Sequence, residues 1–554
     1  MNKTWKELIA GVATLGTVAF APATGFAAVC GDVDNNSAQT LGDCVKILEV
    51  VAGLRSPASV CGGLGYNNCA DMFQDGAPGV SDAIVCANVV NNVPTVYAKC
   101  TGVGNERCTT PGSQVTISGN LSANQHWSNQ CTYLIDGPTF VNQNVTVTID
   151  AGTTIKGKKT ASPTPASALI FLRDSRIVAN GTAAAPIVFT SDQTVGTRGK
   201  GDWGGLVLNG RSQVNAPGGE SLAEGLSNIP FGGGANPVLN DTSGLLTYVR
   251  IEYAGRAISI DNELNMLTMN GVGSGTVLDH IATLYGLDDC HEWFGGTVNE
   301  KYAVLLACGD DGLDYQLGYT GKVQYALMQQ NKCAVEGGSN GIEGDNNENG
   351  FDNLPRSKPT FCNITLLGTK NQNLSLNSVV CNDPGGEFGL LLRRGTAGRF
   401  VNIITQDYAG NGIRLNDAAT GNVACSGVGT LTNNLTVENS LFYNIGSGGQ
   451  AYIAGSGAGA CGTVDAYYTA LVTGKNVQPA LATAGAPSGV NTAWPATDPR
   501  PTIGSLADTA PAANCAAIDG FFDNANYIGG FEPGGTNWLV TPGNWNSFTI
   551  DGLS

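Results

Sequence analysis

Two sets of oxygen-bearing side chains have the types and spacing to do chemistry. The first lies in DVDNNSAQTLGD, where Asp32, Asp34, Asn36, Thr40 and Asp43 fall on positions 1, 3, 5, 9 and 12 of a loop. Alternate side chains of such a loop turn inward around a hard cation, position 12 closes the shell from the helix that follows, and Ala38 at position 7 lends its backbone carbonyl. Calcium is the ion expected there. The unit recurs: Cys30 and Cys61 frame the first copy, and Cys69 and Cys100 frame a second in which Asp71, Asp75 and Asp82 are the ligands. Phe73 replaces a ligand in the second copy, which should therefore bind more weakly.

The second set is acidic. Asp288, Asp289 and Glu292 are followed by Asp310, Asp311 and Asp314 with the same internal spacing, a separation that suits one turn of a solenoid. The two groups would then lie one above the other. Stacked carboxylates repel, so they hold a cation, share a proton or face water. Three chemistries follow: a calcium site that organises the loops, a catalytic pair drawn from Asp288, Asp310 and Asp311 acting on a glycosidic bond or in calcium-assisted uronate cleavage, or turn acids that cap strands. Lys322, Arg393 and Arg394 could face the same groove and take an anionic sugar, or pair with neighbouring acids. His291 could donate a proton, or be a hydrogen-bonded structural residue. The run Glu343 to Asn349 is a polar loop that could hold a further calcium or simply face solvent.

Elements that could position these groups are mostly strands. Gly (77) and Pro (23) are abundant and only 13% of residues are charged, which excludes coiled coils and long amphipathic helices. From about residue 106 the chain reads as short β-rich runs such as VTVTID, ALIFL, LTYVRIEYAG and FVNIITQDYAG, broken by Gly, Asn and Asp. Such runs stack when each coil adds strands that bury their neighbours, giving a quasi-one-dimensional solenoid. A propeller would need a fixed motif per blade, and none is present.

The first residues, with Lys3 and Lys6 before an apolar stretch from Leu8 to Phe20 and small residues at Gly25 and Ala27, read as a signal peptide over 1–27; the stretch is too short and broken to span a membrane. Sixteen cysteines in an exported chain imply disulfides, with Cys290–Cys308 the best pairing and Cys362–Cys381 and Cys425–Cys461 weaker ones. The net charge of −17 repels phosphate backbones, so nucleic acid is excluded as a partner.

The duplicated loop-plus-helix of residues 30–100 resembles the dockerin type I module, a likeness that implies a cohesin-like receptor. Most of residues 110–554, through GDWGGLVLNGR, LTYVRIEYAG, DDCHEWFGGTVNEKYAVLLACGDDGLDYQLGYTGKVQYA, LPRSKPTFCNITLLGT and FFDNANYIGGFEPGGTNWL, is similar to a group of bacterial exported right-handed parallel β-helix proteins. That likeness implies a fold and is silent on activity. Gly309-Asp310-Asp311 resembles one motif of the pectin-hydrolysing β-helices, but the G-H-G and R-I-K elements expected beside it are absent.

The expected architecture is mostly β: a signal peptide (1–27), a small α-helical dockerin-like calcium module (28–105), a right-handed parallel β-helix (106–500) and a C-terminal segment (501–554) whose aromatics Phe521, Phe522, Tyr527, Phe531, Trp538 and Trp545 cap the last coil or stack on sugars. The expected function is a secreted or cell-surface calcium-binding protein that engages polysaccharide or a surface as a binding, adhesion or scaffolding module. The alternative is a dockerin-bearing enzyme, a glycoside hydrolase or a calcium-dependent polysaccharide lyase.

Overall fold

The computed structural model describes residues 105–554 apart from 162–164, 227, 260–261, 336–337, 383–387, 447–457, 480–488, 496–497, 541–544, 549 and 554. The stretches expected to be a signal peptide and a duplicated loop module lie outside the described residues. The chain divides into two compact units. What is described of the first is residues 105–109 and 123–126, where Asn105 pairs with Gln125 and Glu106 with His126 in parallel.

The second unit, residues 110–122 and 127–554, is a parallel β-helix. One face stacks the short strands Gly205–Asn209, Leu267–Asn270, His291–Phe294, Leu313–Gln316, Asn340–Asp345, Phe388–Arg393 and Ile413–Leu415. The long strands Gly244–Glu252, Val277–Leu284, Asn299–Leu306, Lys322–Gln329, Thr360–Leu367 and Gly398–Gln406 form the other faces. Each long strand bends once, at a residue in the left-handed region. These corners form a column: Tyr248, His280, Tyr302, Tyr325, Asn363, Asn402 and Asn439, with φ between 48° and 63°. Asn and His adopt this conformation more readily than most residues, whereas Tyr does so at a cost. Stacking of the rings offsets that cost: Tyr248 on His280 at 4.3 Å, His280 on Tyr302 at 4.3 Å, and Tyr302 on Tyr325 at 4.9 Å between centroids.

Inside, period-2 alternation sends one apolar column inward on each face. Val249, Ile281, Ala303, Ala326, Ile364 and Ile403 lie in register and are fully buried. Burial of each Ile or Val in such a column contributes about 1.5–3 kcal/mol, and no coil has this without its neighbours.

The C-terminal segment does not close the last coil, as its aromatic composition suggested; it runs back along the outside of the long-strand faces. The corner side chains grip its backbone: Asn439 Nδ2 donates to the Pro511 carbonyl, Asn402 to Ala513, Asn363 to Tyr527, and Gln324 Nε2, one residue before its own corner, to Asp523. The reason is apolar. Ala282, Leu284, Val304, Leu306, Leu327, Leu367 and Ile404 point outward from consecutive coils, and Ile528, Phe531, Leu539 and Trp545 cover them. Phe531 and Trp545 are buried, so they are not sugar-stacking platforms. The segment ends where Asp551 accepts from Arg198 Nη2 (2.9 Å) and Nε (3.0 Å) and from the Arg198 and Gly196 amides.

Disulfides fasten this arrangement. Cys290–Cys308 and Cys425–Cys461 pair as expected. Cys362 and Cys381 do not pair with each other: Cys362 joins Cys515 of the returning segment and Cys381 joins Cys333. No helix among the described residues is long and apolar enough to cross a membrane.

Candidate functional site

The two acidic groups do stack. Glu292 pairs in register with Asp314, and Asp314 with Glu343, so three carboxylates project outward from three consecutive strands of the short-strand face. Parallel strands lie about 4.8 Å apart, which sets the spacing of this column. A second column precedes it, in the turns that enter the strands. Asp289 Oδ1 accepts the Asp311 amide at 2.8 Å across 22 residues, Asp311 Oδ1 accepts the Asn340 amide, and Asn340 Oδ1 accepts that of Phe388 at 3.2 Å. These side chains therefore splice one coil to the next; they are buried and bridge coils, where the strand-capping reading expected exposed acids that terminate pairing.

The columns form the floor of a groove of about 590 Å³. Glu220, Leu222 and Glu224 line it from the hairpin Ser221–Leu222 with Pro230–Phe231, and Asn347, Glu348, Asn349, Arg393 and Arg394 line it from the opposite direction along the chain; Asn265, Glu263, Asp288, Asp310 and Gln316 complete it. Among the described lining residues Arg393 and Arg394 are the basic ones.

Burial dominates the electrostatics. It raises the carboxyl pKa values of Asp289, Glu292, Asp311 and Asp314 well above the ordinary range, and each is raised further by a neighbouring acid: Asp288 for Asp289, Asp314 for Glu292, Asp310 for Asp311 and Glu343 for Asp314. Asp288 is raised in the same way by burial and then by Asp310. Glu343 is pushed up by burial to about 7, with Arg393 pulling the other way. Burial alone would lower Arg393; Glu343 and Asp345 outweigh it and hold the guanidinium above its ordinary value. Arg393 Nη2 bonds Glu343, its Nε lies 3.0 Å from Asp345 Oδ1, and Arg394 Nη1 lies 2.6 Å from Asp345 Oδ2. Both arginines are thus engaged by acids and form one end of the groove.

Three trios of carboxylates have ligand oxygens within 4.8 Å of one another: Asp288, Asp289 and Asp310; Asp289, Glu292 and Asp314; Asp311, Asp314 and Glu343. All are hard oxygen donors of the kind calcium takes, and magnesium would demand a stricter octahedron. Asp314 belongs to two trios, is 8% exposed, and its Oδ1 is buried without a hydrogen-bond partner. An orphaned, buried carboxylate oxygen among like charges is costly unless a cation or proton meets it. The donor set and this oxygen fit a divalent cation.

Of the catalytic candidates, Asp288, Asp310 and Asp311 all reach the groove. The eight loop ligands Asp32, Asp34, Asn36, Thr40, Asp43, Asp71, Asp75 and Asp82 lie outside the described residues. Lys322 is elsewhere, paired with Asp519 at 3.1 Å. His291 points inward, fully buried, with Nδ1 3.1 Å from Glu300 Oε2. It is a core residue, not a proton donor in the groove. In Glu343–Asn349 the first residues are strand, and Asn346 and Asn347 bond the side chain of Asn215 instead of presenting a free loop. Sequence reasoning missed Asn265, Glu224 and Glu263, and assigned Glu343 to a separate loop.

A family model described as a pectate-lyase-like beta helix domain matches residues 119–473. Comparison with curated proteins and with solved structures finds no match. The matched span includes every residue of the groove floor, from Asn265 to Arg394. With the parallel coils observed directly, the chain belongs to the pectate-lyase-like β-helix family.

Proposed function

We propose that the protein is an exported, calcium-binding β-helix protein whose acidic groove takes a divalent cation and uses it to hold a polysaccharide, acting as a binding or adhesion module. The observation that carries this reading is Asp314, a buried carboxylate with an unpartnered oxygen at the point where two carboxylate trios meet. The groove as it stands would repel a uronate and offers no unpaired cation to attract one, since Arg393 and Arg394 are spent on Glu343 and Asp345. Asp289, Glu292 and Asp314 would hold calcium, with Asp311 and Glu343 beside them. Calcium, when bound, would supply the positive charge and open coordination positions that sugar oxygens fill. The family description supports a polysaccharide as the ligand. The leader of residues 1–27 and the disulfides support export, and the loop ligands Asp32 to Asp82 add calcium positions in the N-terminal module, whose partner would be a cohesin-like receptor.

The test is calorimetric titration of the mature protein with calcium, followed by retention of the protein on immobilised polygalacturonate with calcium and with chelator. Calcium binding that Asp314→Asn weakens, with retention lost in chelator, is expected. No calcium bound in the groove, or retention indifferent to chelator, would sink the proposal.

Cleavage of the polysaccharide is the second reading, and Glu343 favours it. A carboxyl group held at about 7 beside further carboxylates suits proton transfer near neutral pH. The elimination form needs a base for the proton at C5 as the C4–oxygen bond breaks; Arg393, held above its ordinary pKa, is a poor one, whereas Glu343 is a competent one once ionised. Both forms release reducing ends from uronate polymers, and only elimination leaves a C4–C5 unsaturated product that absorbs in the ultraviolet, so the two readouts are taken together. Release that Asp288→Asn or Asp310→Asn abolishes would replace binding with catalysis.

A further inference from the structure

The groove has a second buried oxygen that nothing satisfies. Asn265 is 2% exposed; its Nδ2 donates to Glu292 Oε2, and its Oδ1 has no partner. Its place in the fold explains why this is unexpected. Leu267 pairs with His291 and His291 with Leu313, so Asn265 is the counterpart, one coil earlier, of Asp289 and Asp311 in the turn column. At each later coil the Asx side-chain oxygen accepts an amide from the following coil, from Asp289 to Asn340. At Asn265 that splice is not made. The amide is turned instead towards Glu292, a carboxylate of the trio that also contains Asp289 and Asp314.

We propose, resting on the reading of the groove as a cation site, that Asp289, Glu292 and Asp314 form its principal cation position and that the amide oxygen of Asn265 is a fourth protein ligand there. Three arguments select this trio. It is the middle one, sharing Asp289 with one neighbour and Asp314 with the other. All three of its members are buried, as are those of the trio of Asp311, Asp314 and Glu343, whereas Asp288 and Asp310 of the remaining trio are partly exposed. Its member Asp314 has an orphaned oxygen, and the amide that donates to its member Glu292, that of Asn265, carries another. Three carboxylates and a neutral amide oxygen are a usual calcium set, with the remaining positions left to water or to a sugar. In the cation-free protein the Asn265 amide group, by donating to Glu292, relieves part of the repulsion that the ion would otherwise remove.

The test uses calcium alone, added to the full mature chain with the N-terminal loops disabled by Asp32→Ala and Asp71→Ala, and reads binding by calorimetry and the calcium-induced rise in melting temperature. Asn265→Leu, similar in size but without oxygen, should weaken the groove site by roughly tenfold or more. Asn265→Asp distinguishes a ligand from a residue that merely positions Glu292. A ligand oxygen with added charge should bind at least as tightly and give a larger calcium-induced rise than the parent. A positioning donor replaced by a second carboxylate should instead lose binding as Leu does. Binding by Asn265→Leu equal to the parent, or weakening by Asn265→Asp, would overturn the assignment of Asn265 while leaving the cation site intact. Absence of calcium binding in the parent would overturn the site itself.

Discussion

Calcium affinity in the groove should depend steeply on pH, and the direction follows from the carboxylates. Asp289, Glu292, Asp311 and Asp314 have pKa values raised well above the ordinary range by burial and by one another, and Glu343 lies at about 7. Without metal the folded groove retains protons near neutrality that the unfolded chain would have released. Calcium requires the carboxylates ionised, so its binding expels those protons. Each expelled proton makes the apparent affinity rise by up to about tenfold per pH unit, or about 1.4 kcal/mol. Glu343 by itself, half protonated near pH 7, gives a slope of about half that, and the carboxyls of Asp289, Glu292 and Asp314, raised by burial and by one another, steepen it in the same direction. For the metal-free fold the pH dependence runs the opposite way. Raised carboxyl pKa values contribute stability that is present below the ordinary carboxylate range and is lost as pH rises through the raised folded values. The metal-free protein should therefore melt at a lower temperature at pH 8 than at pH 5, and calcium should restore it chiefly at the higher pH. The assay is calorimetry at pH 6, 7 and 8 in pairs of buffers with different ionisation enthalpies, which counts protons released per calcium. The N-terminal loops are disabled as above. Asp314→Asn should lower the affinity on the order of a hundredfold, by removing one charged ligand, and should reduce the proton release. An affinity independent of pH with no protons released would refute the picture of a protonated, repelling cluster.

Three further outcomes probe the scaffold and the site. Trp545→Ala removes a fully buried side chain from the cover over the outward apolar column and should cost about 3–5 kcal/mol, read by denaturant unfolding. Gly309→Ala places a Cβ 1.9 Å from the Leu287 carbonyl oxygen, a backbone clash that should cost at least about 1–3 kcal/mol and disturb the turn that presents Asp310 and Asp311; soluble yield and melting temperature would show it, and a neutral result would mean that the two turns are not in contact. His291→Ala should destabilise the fold, leaving Glu300 buried without its partner, yet leave the pH dependence of calcium affinity unchanged, because His291 faces the interior.

Much of the groove could be read from the chain because solenoid turns translate equal spacing into vertical stacking. Asp288-Asp289-x-x-Glu292 and Asp310-Asp311-x-x-Asp314 repeat without an insertion between them, and they do lie in register. The third carboxylate was missed because the turn between Asp314 and Glu343 is longer, so their shared column is invisible as a repeat. Asn265 was missed for a chemical reason: its importance rests on which atom is left unpaired, and that is a property of packing. Alternation along His291-Glu292-Trp293-Phe294 does distinguish inward from outward, and would have placed His291 in the core. The same period-2 reading does not reveal the outer apolar columns as a seat for residues of the C-terminal segment, because burial of both faces looks like any central strand. That is why the terminal aromatics suggested an end cap and why Cys362 was given the wrong partner.

The returning C-terminal segment changes how this solenoid can come apart. Stacks of coils ordinarily behave as beads coupled only to their neighbours, so an end can fray without the rest. Here one stretch of backbone is held by Asn439, Asn402, Asn363 and Gln324 in turn, bonded through Cys515 to Cys362, and clamped by Arg198 at its far end. It works as a tie rod along the stack. Opening any one coil along its length must either stretch the rod or detach it from the corner column, so distant coils share a single unfolding event. The rod also cannot seat before those corners exist, which makes its docking a late step and a seal on a finished stack.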